Sequence, residues 1–294
     1  MGIWPAFAAA MASLLTGAAV VVTRFIVESI APLPLALLRY SVAVLVLLIP
    51  LWALRKCRIT WTQKFACLGL GALFFGVFTY GFNTGLETAT AARGGTLVAT
   101  MPVMTLILAA AVGRERITVM KLLGVAIALV GVAVVLGLPT SGLRSALTLH
   151  THDIWLLTAA CCGACYNVGA RIWLKELNTV VTAFWSMSGG VLLLMVISSA
   201  TGEWPGESAL TSQGMASLAY LGIAAGAVGF SLWIWALGKA SPTQVAVFYS
   251  LNPVSAAILA AWALDEAVEI NIIVGLAIVL VGIVATTLSP RDQS

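Results

Sequence analysis

Arg39 is the charged side chain with the strongest chemical implication, because it stands within a long run of apolar residues. It follows Pro34, and a helix starting there would carry it about 7.5 Å inward at about 1.5 Å per residue. A charge at that depth in lipid needs a partner, a path to the surface or a ligand. Arg39 can therefore pair with a carboxylate such as Glu28 or Glu87, extend to the surface, or attract the carboxylate of a ligand.

Neutral polar and aromatic side chains are spread through the other apolar runs. Hydroxyl and amide groups beside aromatic rings suit an amphipathic or zwitterionic small molecule in a largely apolar pocket. For any single one of these residues, packing between helices is the more common role. Together with Arg39, the candidate binding residues are Thr79, Tyr80, Asn83, Tyr166, Asn167, Trp185, Ser231, Phe248, Tyr249 and Asn252.

Two prolines, Pro102 and Pro253, fall inside apolar runs. Proline removes one helical hydrogen bond and favours a kink, and in lipid the freed carbonyl needs another partner. Asn252 stands directly before Pro253, and a buried amide must be hydrogen-bonded, which slightly favours a functional role. The sequence leaves two roles open for both prolines, a hinge beside a cavity and a static kink that aids packing.

Other chemistry has little support. Cys161, Cys162 and Cys165 lie close together, but the histidines fall outside that apolar run, so we expect packing thiols and no metal site. The five cysteines form no disulfide pattern. The sequence contains no HExxH zinc motif, GxSxG elbow or nucleotide-binding P-loop, and no acidic residue at mid-span. We therefore expect no cofactor and no enzymatic activity.

The composition requires that lipid surrounds most of the chain. Of 294 residues, 61% are hydrophobic and 9% are charged, whereas soluble domains carry about 25% charged residues. The net charge of +4 comes without a basic block, so nucleic acid is not an expected partner. No basic residue precedes the first apolar run, so we expect that run to remain as a helix rather than be cleaved as a signal peptide.

Ten apolar segments approach the length of about 20 residues that a spanning helix needs. The predicted spans are 4–27, 33–54, 64–86, 91–112, 119–138, 153–174, 179–200, 213–238, 242–263 and 269–288. Most connections are short, so consecutive helices are expected to be antiparallel neighbours. The sequence therefore predicts an all-α integral membrane protein without a soluble domain.

The basic residues predict the orientation, because Lys and Arg in short loops favour the cytoplasmic side. With the N-terminus inside, one side collects eleven of them: Arg55, Lys56, Arg58, Lys64, Arg114, Arg116, Lys121, Arg171, Lys175, Lys239 and Arg291. The other side has four: Arg24, Arg39, Arg93 and Arg144. We therefore expect a multi-pass protein of the cytoplasmic (inner) membrane with both termini in the cytoplasm.

The two halves of the chain repeat each other at a spacing of 151 residues. The matching pairs are Pro102 with Pro253, Glu115 with Glu266, Gly124 with Gly275, and Gly131 with Gly282. The first two helices of each half match only after a shift of several residues. Five helices in each half give the second half an inverted orientation, as in many secondary transporters. The predicted parts are a repeat over 1–138, an external loop over 139–152 and a repeat over 153–294.

The repeated residues also predict local roles. Glycines seven residues apart share nearly one helix face and allow close approach, so we expect the fifth and tenth helices to pack as a scaffold. Glu115 and Glu266 each precede the next helix by a few residues, where a carboxylate suits the positive end of the helix dipole. We expect capping or loop-fixing from both glutamates rather than proton chemistry.

On these residues the chain resembles the EamA-type drug/metabolite transporters, which are ten-helix carriers made of two five-helix repeats. The resemblance covers nearly the whole chain and is most specific in the two hairpins that carry the repeated Pro, Glu and Gly residues. Arg39 also fits the family pattern. The resemblance implies export or exchange of small metabolites such as amino acids, through a central cavity lined by the first, third, fourth, sixth, eighth and ninth helices.

The sequence thus predicts a secondary transporter, independent of ATP, that exports amino acids or related zwitterions. An exporter of drugs or toxic cations is the alternative. An intramembrane enzyme and a structural membrane protein are remote alternatives, and a structural role would not explain the inverted repeat. The expected partners are a small-molecule substrate and the lipid bilayer, while the oligomeric state stays open and is compatible with a monomer.

Overall fold

In the computed structural model, the main helices of the described residues group into ten helical elements. The structure describes residues 1–26, 30–54, 59–88, 97–135, 151–173, 177–206, 211–263 and 270–288. The elements are α1 (Ile3–Ile26), α2 (Pro32–Ala53), α3 (Trp61–Gly71, Ala72–Phe78 and Thr79–Thr88), α4 (Met101–Ala111), α5 (Val119–Val135), α6 (Thr151–Trp173), α7 (Thr179–Thr201), α8 (Ser212–Ala219, Tyr220–Gly229 and Phe230–Lys239), α9 (Pro242–Ala246, Val247–Ser250 and Leu251–Ala263) and α10 (Ile270–Leu288). The predicted all-α class of ten helices is confirmed.

The helices have the length and surface that a bilayer requires. Among the described residues, five helical stretches are long and apolar enough to cross a membrane: Ile3–Thr23, Pro32–Ala53, Trp61–Gly85, Thr179–Thr201 and Ser212–Lys239. Three shorter helical stretches are also apolar: Met101–Ala111, Val119–Val135 and Ile273–Leu288. Large apolar side chains such as Ile49, Leu123 and Val281 are exposed, which suits contact with lipid.

Met1 and the end of α10 lie on the same face of the bundle. The Met1 ammonium donates a hydrogen bond of 2.9 Å to the carbonyl of Thr287, at the end of α10. Gln244 in the first segment of α9 also donates to the Thr287 carbonyl, and the neighbouring Thr243 amide donates to Glu115 between α4 and α5, so this face also carries the start of α9 and the connection from α4 to α5. We call it the termini face. On the other face, Asn83 near the end of α3 donates to the carbonyl of Pro32 at the start of α2.

Helices α5 and α10 form the most extensive helix–helix contact of the described residues. A Cβ on Gly131 would lie 2.9 Å from the carbonyl oxygen of Gly275, and one on Gly282 would lie 2.6 Å from that of Gly124. The residue numbers run in opposite directions along the two helices, so α5 and α10 are antiparallel. Glycine is needed at all four positions because the backbones touch.

Helices α3 and α8 each depart from α-helical geometry in their middle part. Each contains a π-helical segment, Ala72–Phe78 in α3 and Tyr220–Gly229 in α8. When the first segment is moved by the 151-residue offset, it covers 223–229 and falls inside the second. Such segments occur mainly as local features of α-helices and are frequent at functional sites. The repeat is therefore preserved even in a local departure from α-helical geometry.

The same symmetry relates two helix crossings. A Cβ on Gly71 would collide with the backbone of Ser186 in α7, and one on Gly222 would collide with Val42 and approach the carbonyl oxygen of Arg39 in α2. Gly71 and Gly222 differ by 151 residues, whereas Arg39 and Ser186 differ by 147. The sequence predicted a shift of several residues for the first two helices of each half. At this crossing the offset is 147 instead of 151, which is a shift of four residues.

Helices α4 and α9 begin or break near the two repeated prolines. Pro102 is the second residue of α4, and two turn residues, Ala99 and Thr100, precede that helix. Pro253 is the third residue of the last segment of α9, directly after the 3₁₀ turn Val247–Ser250. Both prolines therefore lie beside an interruption of the α-helix, and the choice between a moving hinge and a static kink stays a prediction.

Candidate functional site

Asn167 is the centre of a buried polar contact between three helices. Its side-chain oxygen accepts a hydrogen bond of 3.0 Å from the indole of Trp233 in α8. Its amide nitrogen lies 3.5 Å from the hydroxyl of Thr105 and 3.6 Å from the sulfur of Met101, both in α4. Asn167 is fully buried, so each of these partners replaces a hydrogen bond to water.

A second polar cluster surrounds the break in α9. Thr16 of α1 donates a hydrogen bond of 3.2 Å to the side-chain oxygen of Asn252. The phenol of Tyr249 lies near Asn252, Tyr40 and Arg39. The ring of Tyr249 also stands edge-on to Trp233 at 6.4 Å, which joins this cluster to the first.

The two clusters occupy related positions in the two repeats. Thr16 contacts Asn252 in the second cluster, and a Cβ on Gly163 would touch the side chain of Met101 in the first. Asn252 and Met101 differ by 151 residues, and Gly163 and Thr16 differ by 147, which are the offsets found in the fold. The breaks of α4 and α9 therefore bring polar side chains together at two symmetry-related places.

Arg39 supplies the positive charge of the second cluster. Its guanidinium carbon lies 5.3 Å from the centre of the Tyr40 ring. Its Nε is buried, and none of the described residues accepts a hydrogen bond from it. The predicted carboxylate partners, Glu28 and the side chain of Glu87, lie outside the described residues. Arg39 thus presents a buried donor toward groups that are mostly neutral.

The candidate residues of α3 contact three different helices. The Thr79 hydroxyl lies 3.2 Å from that of Tyr40 in α2. Tyr80 stands edge-on to Trp155 of α6 at 6.1 Å, and Asn83 donates to the Pro32 carbonyl at 3.3 Å. Thr79 belongs to the same cluster as Arg39 through Tyr40, whereas Asn83 ties α3 to the start of α2.

Aromatic rings fill the space between α3, α6 and α8. Phe74 stacks on Tyr166 at 4.8 Å and on Phe78 at 4.9 Å, and Phe75 stands edge-on to Phe230 at 4.8 Å. The Tyr166 hydroxyl is buried and has no hydrogen-bond partner among the described residues. These rings provide an apolar wall close to the polar clusters.

The remaining candidates are less closely connected. Trp185 packs on Phe184, and its ring lies 5.1 Å from the Lys64 ammonium near the start of α3. Ser231 has a buried hydroxyl without a described hydrogen-bond partner, and Phe248 is buried in the 3₁₀ turn of α9. The structure therefore brings Arg39, Tyr249 and Asn252 into one cluster and places Trp185 beside a lysine.

Glu115 lies on the termini face and bonds to residues of two helices, α5 and α9. One carboxylate oxygen accepts a hydrogen bond of 2.9 Å from Lys121, and the other accepts one of 2.9 Å from the backbone amide of Thr243 in α9. Glu115 thus contacts the first turn of its own next helix, α5, through Lys121 and the first turn of α9 through Thr243, while the predicted capping or loop-fixing role stays a prediction. Glu266 lies outside the described residues.

Sequence reasoning missed three members of these clusters. Thr16 and Tyr40 have ordinary positions in apolar helices, and their role depends on which helices cross there. The sequence assigns Lys121 to the basic residues of the cytoplasmic side. In the structure, its side chain is completely buried. A lysine six residues after a repeated glutamate was the one local signal that could have suggested this ion pair.

The thiols and the loop between the repeats complete the predicted set. Cys67 and Cys162 are buried, Cys161 is exposed, and all three are free together with Cys165. In the described part of the chain, no group of three or more metal-binding side chains occurs. The predicted external loop, 139–152, falls almost entirely outside the described residues, since α6 begins at Thr151.

The fold and the clusters define a membrane transporter, in which polar groups lie at paired helix breaks within an apolar bundle. The EamA-like transporter family matches residues 3–137 and 150–288, so each repeat matches separately. The chain belongs to the EamA-like transporter family. The predicted class of membrane transporter is therefore confirmed.

Individual relatives agree with this class. The chain is 27% identical to the uncharacterized transporter YetK of Bacillus subtilis, over 99% of this chain and 88% of that protein. It is 26% identical to a probable terminal-alkyne amino-acid exporter of Streptantibioticus cattleyicolor, over 65% of this chain and 63% of that protein. One crystal structure, at 20% identity, superposes with a TM-score of 0.77 over 97% of each chain, which shows the same fold.

Proposed function

We propose that this transporter exports small zwitterionic metabolites, foremost amino acids, from the cytoplasm across the cytoplasmic membrane and without ATP. The observation that carries the proposal is the buried Nε of Arg39, which has no acceptor among the described residues. A guanidinium whose Nε is buried is stabilised when a carboxylate supplies the missing acceptor, and the pair can form two parallel hydrogen bonds. Arg39 would therefore bind the carboxylate of the substrate.

Neutral oxygens near Arg39 suit the ammonium group of the same substrate. The side-chain oxygen of Asn252 already accepts a hydrogen bond from Thr16 and retains a second lone pair. Pro253 has no N–H, so it cannot donate to the carbonyl of Tyr249 four residues earlier. Carbonyls at interrupted helices commonly coordinate cations in secondary transporters. An α-amino acid carries one carboxylate and one ammonium, which suits a cluster that contains one cation and several neutral acceptors.

The aromatic wall would receive the side chain of the substrate. Phe74 and Phe78 stack on each other at 4.9 Å, and the edge of Phe230 meets Phe74 at 5.4 Å. Rings at this spacing offer an apolar surface without charged groups. We therefore expect apolar and aromatic amino acids to be preferred over strongly charged ones.

The direction of transport rests on topology and on similarity. The excess of basic residues favours a cytoplasmic position for the termini face. The relative from Streptantibioticus cattleyicolor is named as a probable exporter of an amino acid, which favours the same direction and substrate class here. No P-loop occurs in the sequence, so the proposal does not include ATP hydrolysis.

Untargeted metabolite measurement is the experiment that tests this function. The medium of cells that overproduce the protein is compared with that of cells lacking it, and zwitterions enriched only by overproduction become candidates. Each candidate is then tested by counterflow in proteoliposomes without nucleotide. Uptake that requires added ATP would refute the mechanism, and a medium unchanged in every amino acid and related zwitterion would refute the substrate class.

Export of lipophilic cations is the second candidate function. The ammonium of Lys64 lies 4.5 Å from the Trp61 ring and 5.1 Å from the Trp185 ring, so this part of the molecule already holds a cation between aromatic faces. Survival of cells on quaternary ammonium compounds distinguishes the two functions. Resistance conferred by overproduction, together with unchanged amino-acid export, would favour cations.

A further inference from the structure

The Glu115 carboxylate on the termini face forms an ion pair within the first repeat and a hydrogen bond to the second repeat. Glu115 belongs to the connection between α4 and α5 in the first repeat, and Thr243 belongs to the start of α9 in the second. The Glu115 carboxylate is held at 2.9 Å by Lys121 and receives the Thr243 amide at 2.9 Å. Glu115 and Lys121 are both buried, so neither partner can exchange this contact for water without a movement of the chain.

The turn between α8 and α9 is fixed from both sides by charged residues. Arg171, in the last turn of α6, donates to the carbonyls of Leu237 and Gly238 at the end of α8, at 3.3 and 2.8 Å. Glu115 accepts from the first turn of α9, five residues after Gly238. A cation meets the carbonyl end of one helix and an anion meets the amide end of the next, which is the favourable arrangement for both helix dipoles.

The segment that Glu115 holds closes the termini face. All five residues of Pro242–Ala246 are buried, and this segment packs against α4 of the first repeat. The 3₁₀ turn Val247–Ser250 follows at once and separates the segment from the rest of α9. An interruption of this kind allows the short segment to move while Leu251–Ala263 stays in place.

We propose that Glu115 is a gating residue: its bond to the Thr243 amide holds the α9 segment against α4, and the termini face opens when this bond breaks. Alternating access requires that each face of a carrier open in turn. Glu115 would then control when the termini face admits substrate. The inference rests on the transporter class and not on the proposed substrate, so it survives if the substrate class is wrong.

The reactivity of a buried cysteine tests the gate without any substrate. Ala246 is completely buried within the segment, and Ala246→Cys is placed in a background whose five native cysteines are replaced by alanine. The rate of reaction with a membrane-impermeant maleimide is measured on the purified protein in detergent. We expect Glu115→Gln to raise the rate about tenfold or more, as the loss of one charge-assisted hydrogen bond implies.

A matched control and a second variant separate gating from instability. Thr243→Ala removes the side chain but keeps the backbone amide. We therefore expect the labelling rate to equal that of the parent protein, which carries only Ala246→Cys. Glu115→Leu combined with Lys121→Met removes both buried charges together, which is commonly neutral for stability. This double variant still lacks the bond to Thr243, so we expect fast labelling in a protein that elutes as a single species.

Three results would overturn the proposal. A folded double variant that labels as slowly as the parent would show that the Glu115 bond does not restrain the segment. Equally fast labelling of Thr243→Ala and Glu115→Gln would attribute the change to the side chain of Thr243. Failure of both charge-removing variants to give folded protein would assign Glu115 a structural role only.

Discussion

Gly124 lies so close to Gly282 that a Cβ on Gly124 would stand 2.8 Å from the Gly282 carbonyl oxygen. The same Cβ would stand 2.6 Å from the backbone nitrogen of Thr286, and neither backbone can rotate away as a flexible side chain could. This contact joins the last helix of one repeat to the last helix of the other. The α5–α10 pair therefore joins the two repeats through direct backbone contact.

Gly124→Ala should destabilise the protein by about 1–3 kcal/mol, because the added methyl group forces the two helix backbones apart. Thermal unfolding in detergent measures the effect. Gly69→Ala is the matched control, because nothing lies within 4 Å of a Cβ at Gly69. That substitution should be neutral or gain up to about 1 kcal/mol from helix propensity. Equal melting temperatures for the two variants would show that α5 and α10 do not touch at Gly124.

The hydrogen bond between Asn167 and Trp233 provides a second test. Asn167→Leu leaves the buried indole N–H of Trp233 without its acceptor, which should cost about 1–3 kcal/mol. Trp233→Phe removes the donor, so Asn167→Leu should cost less in that background. A double-mutant cycle on thermal stability should give a coupling free energy of about 1 kcal/mol. Strictly additive effects would mean that the two side chains do not stabilise each other.

Much of the fold follows from local pattern. Helices α2 and α7 begin and end within a residue of their predicted spans, because apolar runs interrupted by proline, charge and glycine determine where a helix can cross lipid. The glycine pairs predicted which faces of α5 and α10 can approach closely, since spacing along one helix is a property of sequence alone.

The candidate site depends on information that no local pattern contains. Thr16 and Asn252 are separated by 236 residues, and their contact exists only because α1 crosses the break of α9. The bond of Glu115 to Thr243 likewise depends on packing between the repeats. Arg39 could be singled out from sequence because a charge in an apolar run is rare, whereas neutral side chains such as Tyr40 carry no such signal.

Both termini are predicted to lie in the cytoplasm, because eleven basic residues stand on their side of the membrane and four on the other. In a cysteine-free background, Arg144→Cys should react with an impermeant maleimide added to intact cells. Arg116→Cys is the matched control on the termini face, where Arg116 is exposed, and it should react only after the membrane is opened. The reverse pattern would invert the topology and with it the proposed direction of transport.

Arg39 is predicted to bind the substrate carboxylate, so its charge should matter more than its shape. Arg39→Lys should keep partial transport because the positive charge remains without the two-pronged geometry. Arg39→Gln should reduce transport of carboxylate-bearing substrates about tenfold or more, since a hydrogen bond to a charged group contributes about 1.5–3 kcal/mol. Counterflow in proteoliposomes, with melting temperature measured in parallel, compares the two variants.

The stability measurement separates this role from the other two that the sequence left open. If Arg39 only pairs with Glu28 or Glu87, Arg39→Gln should lower the melting temperature, and neutralising that carboxylate as well should restore part of the loss. If Arg39 only extends to the membrane surface, neither stability nor transport should change much. A stable Arg39→Gln protein that transports every carboxylate-bearing substrate at the full rate would remove Arg39 from the binding site. Selective loss of those substrates at unchanged stability is the result that a carboxylate ligand requires.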